Sequence, residues 1–204
     1  VVSRLVHQKG LDLVADTADH IVDSGGQIVL LGMGDPEVEQ MLSGMSRRNR
    51  KSIGLLIGFN DVMEHRILGG SDFCLMPSRF EPCGLTQMHA QRYGALPIAH
   101  ATGGLSDTIE DGRTGFLFSD FSTDGLKYAC RRAFDVYAKD ERLEEMRQAA
   151  MARSFSWSES ALHYRQLYRR LIGPVRTTRR AGAGKTKRVV NPAISRMPPE
   201  TLAA

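Results

Sequence analysis

The chain has 204 residues, with 27 Lys and Arg against 23 Asp and Glu, a net charge of +4 and a sequence pI near 9.1. An apolar share of 42% supplies a core and excludes a wholly disordered chain. No apolar run approaches the ~20 residues that a membrane-crossing helix needs, so no membrane partner is expected.

The basic excess is local. Residues 173–204 hold seven basic residues and one acid, Glu200, for a net +6, whereas residues 1–172 hold 20 basic and 22 acidic residues, for a net −2. The terminal stretch also carries four of the eight prolines and no aromatic residue. It has too little apolar area to offset chain entropy and is expected to be a basic disordered tail. Without aromatics for base stacking or a recognisable nucleic-acid motif, it gives no reason to expect a nucleic-acid partner.

From the first residue, short apolar runs alternate with amphipathic segments. A strand is expected over residues 1–5, then a helix over 11–23, a strand over 28–31 and a helix over 36–46. Asp35-Pro36 forms a helix start, with a capping residue before a first-turn proline. The pattern continues with a strand over 53–57, a helix over 62–68, a strand over 73–76 and a helix over 85–93. Strands over 97–99 and 116–118 flank a helix over 105–109. Three helical stretches, 123–138, 142–152 and 158–171, complete the pattern. The last carries an apolar stripe of Ala161, Leu162, Tyr164, Leu167, Tyr168 and Leu171. Strands apolar on both faces and separated by helices predict an α/β fold with a doubly wound, Rossmann-like parallel sheet. The folded domain is placed at residues 1–172 and the tail at 173–204.

Cys74, Cys83 and Cys130 are widely spaced, with no CxxC and no Cys/His cluster of zinc spacing. An odd count without a signal peptide points to a reducing, cytoplasmic location. The chain starts at Val1 within a strand-like run and reads as a fragment or excised domain.

In such sheets ligands bind at the carboxyl ends of strands, where loops feed helix N-termini. Arg4 and Lys9 fall at one such edge and suit a diphosphate; the plain alternative is a solvated loop. In residues 77–87, Glu81 lies on a stiff loop, and Gly84, Leu85 and Thr86 open a helix whose free N–H groups can hold an anion. The alternative there is a structural turn. Gly103-Gly104 before a helix permits close backbone approach of a ligand, although many ordinary strand-to-helix turns look the same, and Gly32-Met33-Gly34-Asp35 reads as turn chemistry. No P-loop is present: Gly182-Ala183-Gly184-Lys185-Thr186 lacks the spacing and lies in the tail. No DxD pair offers to hold a metal on a nucleotide, and the histidines lack metal spacing. His65, His89 and His100 read as packing or surface residues.

Together, SRLVHQKGLDL (3–13), LLGMGDP (30–36), PSRFEPCGLTQMHAQRYGALPI (77–98) and TGGLSDTI (102–109) closely resemble the bacterial glycogen synthase and plant starch synthase family. The resemblance runs in order from Val1 to about Leu171 and includes Phe155-Ser156-Trp157. It implies the C-terminal, nucleotide-sugar-binding domain of a GT-B glycosyltransferase, whose two Rossmann-like domains face a cleft. The reaction implied elongates α-1,4-glucan from ADP-glucose with retention at the anomeric carbon, releasing ADP, with no metal or other cofactor. By the same resemblance, Arg4 and Lys9 hold the donor diphosphate, Glu81 faces the donor glucose and Cys83 lies beside the sugar. Gly84, Leu85 and Thr86 supply backbone donors to the distal phosphate, and Phe59 lies near the adenine; a core phenylalanine is its alternative. Many relatives in the wider superfamily have a second Glu eight residues after the first; here that position is His89, which leaves the ribose contacts unassigned. The resemblance also implies partners: ADP-glucose, α-1,4-glucan such as glycogen, and an N-terminal domain with a Lys-x-Gly-Gly loop that this sequence lacks. Without that domain the chain is expected to be inactive alone. The competing reading is a non-catalytic ADP-sugar or glucan binding module.

Overall fold

The alternation of two-sided apolar runs and amphipathic segments is realised as five parallel strands and eight α-helices among the described residues, 1–172, of a computed structural model. The basic tail expected at 173–204 lies outside those residues. A 3-10 turn (His7–Lys9) leads to α1 (Leu11–Asp23), β1 (Ile28–Gly32), α2 (Pro36–Arg48), β2 (Ile53–Ile57), α3 (Asp61–Gly69) and β3 (Phe73–Met76). These are followed by α4 (Thr86–Arg92), β4 (Leu96–His100), α5 (Gly103–Thr108), β5 (Phe116–Phe118), α6 (Thr123–Tyr137), α7 (Asp140–Met151) and α8 (Trp157–Ile172). Val1–Trp157 form one compact unit; residues 158–172 are the described part of a second, made of α8. None of the α8 side chains is buried, and Tyr164 and Tyr168 stack loosely, 6.4 Å between centroids.

The strand expected at residues 1–5 is an extended segment with two single parallel bridges, Val2 to Leu31 and Leu5 to Gly34. It hydrogen-bonds to β1 and the turn after it through Ser3 N to Leu31 O (3.1 Å) and Leu5 N to Met33 O (2.9 Å). The Val6 N–H then turns back onto Arg4 O, which ends the extension. Gly34 permits the close approach, since a Cβ there would lie 2.4 Å from Leu5 O. The strands fall into two hydrogen-bonded parallel sets, β1-β2 and β3-β4-β5. Between the first segment and β3 lies a cleft of about 150 Å³ rather than a ladder.

Both faces are covered. One core joins Leu30, Leu42, Ile98, Phe116, Leu126 and Met146, drawn from β1, α2, β4, β5, α6 and α7. The other joins Leu68, Cys74, Ala90, Ala99 and Leu105 beneath α3, α4 and α5. Each fully buried Leu contributes about 1.5–3 kcal/mol, so this two-sided burial is what a doubly wound arrangement requires. At the start of α2 the Asp35 side chain makes no capping bond; Glu39 reaches back instead, accepting the Gly34 N–H at 2.8 Å. Past α7, Arg153 pairs with Glu110 in the turn before β5. Hydrogen bonding from Arg113, reinforced by Arg153, holds the Glu110 carboxyl below the usual carboxylate range.

Candidate functional site

The carboxyl ends of the strands carry the loops marked by the sequence motifs, and backbone contacts bring two of them together. Gly10 follows the 3-10 turn at φ 65° and lies against Pro77; a Cβ there would fall 1.8 Å from Pro77 O. Only glycine meets both demands. Arg79 N donates to Gln8 O at 2.9 Å, and Gln8 Nε2 returns a bond to Phe80 O at 2.9 Å. These bonds join the loop at residues 6–10 to the loop at 77–85.

The result is an ion pair across 72 residues of sequence: Lys9 Nζ lies 2.5 Å from Glu81 Oε2. The two side chains are 16% and 9% exposed, so the pair is largely screened from bulk water. Ser78 Oγ donates to the same carboxylate oxygen at 3.1 Å. Glu81 Oε1 accepts no bond from the described residues. Lys9 has three N–H donors and gives one to Glu81, so two remain for other oxygens.

Gln87 is fully buried and shapes the end of the loop. Its Nε2 donates to Cys83 O and Gly84 O, both at 2.9 Å. A trans peptide points its N–H opposite its C=O, so the Gly84 and Leu85 N–H groups are turned away from Gln87. Gly84 has φ 77°, and with Leu85 in the αR region the pair forms an anion-accepting backbone curve. The N–H groups of Gly84, Leu85 and Thr86 meet no acceptor among the described residues.

Arg4 is exposed and makes no ion pair among the described residues. It lines the cleft beside segment 1–5 together with Lys9, Ser78 and Thr86. Arg4, Lys9 and Thr86 thus share one cleft, and Glu81 is tied to it through its pair with Lys9. Cys83 is exposed, its Sγ 3.5 Å from Gly84 O. Phe59 is 80% exposed at the carboxyl end of β2, which removes its core alternative, though it does not line this cleft.

The Gly103-Gly104 pair opens α5, and backbone of the 81–83 loop lies close beside it: a Cβ on Gly103 would lie 2.2 Å from Glu81 O and one on Gly104 2.3 Å from Cys83 O. Gly104 N donates to Glu81 O at 2.9 Å. His100, expected as a packing or surface residue, also binds this loop, with Nδ1 2.9 Å from Ser78 O. His89 sits on α4 beside Glu64 of α3, 3.4 Å apart. The supporting roles of Gln8, Ser78 and Gln87 emerge only in the fold, although each lies inside a motif that other residues mark.

Among the described residues no three His, Cys, Asp or Glu side chains converge as a metal site, and no helix is long and apolar enough to cross a membrane.

Known proteins resemble the chain as follows. The family model described as "Glycosyl transferases group 1" matches residues 1–152. Glycogen synthase 1 of Bradyrhizobium diazoefficiens is 58% identical over 171 residues, 84% of this chain and 37% of that protein. A glycogen synthase of Pseudomonas syringae pv. syringae is 52% identical over 172 residues, 84% of this chain and 36% of that protein. The chain thus spans little more than a third of the curated relatives it matches. The solved catalytic domain of Starch Synthase IV from Arabidopsis thaliana, bound to ADP and acarbose, is similar with a TM-score of 0.76 and 37% identity, over 83% of this chain and 37% of that one.

Proposed function

Because the chain belongs to the glycosyl transferases group 1 family, we propose that it is the donor-binding part of a GT-B glycogen or starch synthase. The reaction is transfer of glucose from ADP-glucose to the non-reducing end of an α-1,4-glucan, with retention and release of ADP. The names of the relatives support this, as does a similar starch synthase domain solved with ADP and acarbose.

The observation that carries the reading is the Lys9–Glu81 pair beside Arg4 and the outward N–H groups of residues 84–86. Arg4 and Lys9 take the diphosphate and neutralise charge that develops on the leaving ADP, where fixed cations stabilise the transition state most. Gly84, Leu85 and Thr86 donate to the distal phosphate. Glu81 faces the glucose through the oxygen that neither Lys9 nor Ser78 occupies, with Cys83 beside it. Phe59 offers an exposed ring to the adenine. In this reading no metal takes part in donor binding.

Isothermal titration of the chain with ADP tests the assignment. A lost charge-assisted contact is worth about 1.5–3 kcal/mol, so Arg4→Ala is expected to weaken ADP binding roughly 10- to 100-fold. A chelator is expected to leave wild-type affinity unchanged. Equal ADP affinity of the Arg4→Ala variant and the wild type sinks the diphosphate site.

A further inference from the structure

Glu81 divides its two carboxylate oxygens. Oε2 takes both internal donors, Lys9 Nζ at 2.5 Å and Ser78 Oγ at 3.1 Å, and leaves Oε1 without a partner among the described residues. A lone ammonium contact fixes a carboxylate poorly, since Lys is a rotatable point charge. The Ser78 hydroxyl supplies the second constraint, and Ser78 is only 1% exposed. The Ser78 backbone is held in turn from β4, where its carbonyl faces His100 Nδ1 at 2.9 Å. A carbonyl oxygen only accepts, so this nitrogen carries a proton.

The His100 ring is itself held. It lies 5.1 Å edge-on from Phe121 and 5.5 Å from Phe118. Phe121 also carries the Arg79 guanidinium at 4.4 Å, and Arg79 pairs with Asp12 at 2.5 Å. Four residues past His100, Gly104 N holds Glu81 O. The carboxyl end of β4 and the start of α5 thus hold the Glu81 loop at two points, the carbonyls of Ser78 and Glu81.

We propose that His100 is a positioning residue for donor-sugar recognition. By holding the Ser78 carbonyl it fixes the Ser78 hydroxyl, and so aims Glu81 Oε1 at the sugar of the bound nucleotide. This rests on the reading of Glu81 as the carboxylate beside the donor glucose. It predicts an effect on the glucosyl part of the ligand and little on the ADP part.

The experiment uses the whole chain with ADP and ADP-glucose as separate calorimetric ligands, and thermal melting to report folding. His100→Phe keeps a ring against Phe118 and Phe121 but removes the donor. His100→Asn keeps an amide N–H at the same number of bonds from Cα and removes the ring. His100→Phe is expected to weaken ADP-glucose binding about tenfold, as loss of one hydrogen-bonded constraint allows, with ADP affinity within about twofold of wild type. His100→Asn is expected to restore most of the loss. The proposal is overturned if His100→Phe binds ADP-glucose like wild type, or loses both ligands equally. It is overturned too if His100→Asn behaves like His100→Phe. Should His100→Phe fail to fold, Ser78→Ala must show the same selective loss, and its absence overturns the proposal. Failure of the wild type to bind ADP is a different result, since it removes the proposed function before any variant is compared.

Discussion

The three cysteines separate by environment, and that separation makes a residue-scale prediction. Burial pushes the Cys130 thiol up to about 12 and raises Cys74 above its ordinary value as well. The thiolate is the nucleophile, so both are inert at neutral pH while the fold persists. Cys83 is exposed on the loop between Glu81 and Gly84. A disulfide reagent is therefore expected to titrate one thiol in the native chain and three in denaturant, and Cys83→Ser should abolish the native signal. ADP-glucose should slow Cys83 labelling; unchanged labelling at saturating ligand would remove Cys83 from the sugar's neighbourhood. At this scale the motifs mark Arg4, Lys9, Glu81 and Gly84 because each is a charged or special-backbone residue at a strand end. His100 is not legible in that way. It follows an apolar strand run, and its meaning depends on strand register: β3 and β4 pair Met76 with Ala99, which brings His100 level with Pro77. No spacing in a single sequence specifies that pairing.

The elements are legible from periodicity, and the turns between them only in part. Every expected helix is present among the described residues, with ends moved by a residue or two in either direction. The first strand is not a full ladder strand because it makes one isolated bridge to β1 and one to Gly34 beyond it. The glycine pair that opens α5 is recognisable as a place of close approach, but sequence does not say what approaches. Three-dimensional packing makes it the 81–83 backbone. This distinguishes two glycines that a sequence treats alike. Gly25 has φ 84° with no atom within 4 Å of where a methyl would stand, so Gly25→Ala meets only backbone strain of about 1–2 kcal/mol. Gly104→Ala would place its methyl 2.3 Å from Cys83 O and 2.5 Å from Cys83 Cα, which are backbone atoms that cannot swing aside. It is expected to cost about 3 kcal/mol or more and to remove ADP-glucose binding, because the Glu81 loop must move. Urea unfolding and calorimetry on both variants check this; equal losses would mean the turn does not brace the site.

At the scale of the whole molecule, the net charge of +4 mixes two parts of opposite sign, and the cations that matter for the proposed chemistry are Arg4 and Lys9. The chain spans 37% of the Bradyrhizobium relative and 36% of the Pseudomonas relative, so most of each relative's length lies outside the match. In the proposed reading, donor binding draws on Arg4, Lys9, Glu81 and the 84–86 backbone, all of which lie within Val1–Trp157. Transfer needs more: the glucan hydroxyl must be held against the anomeric carbon while ADP departs. Holding two reactants in register supplies about 7–11 kcal/mol of a barrier, and the proposed reading assigns the Arg4–Lys9 cleft to the donor alone. The chain assayed alone is therefore expected to bind ADP-glucose and to leave glucan length unchanged. Transfer of labelled glucose into glycogen at saturating ADP-glucose measures this, with calorimetry on the same preparation verifying that donor is bound. Incorporation at background with intact binding supports a donor-binding part that needs a second wall for the acceptor. Sustained incorporation would place acceptor positioning within these 204 residues and overturn that division of labour.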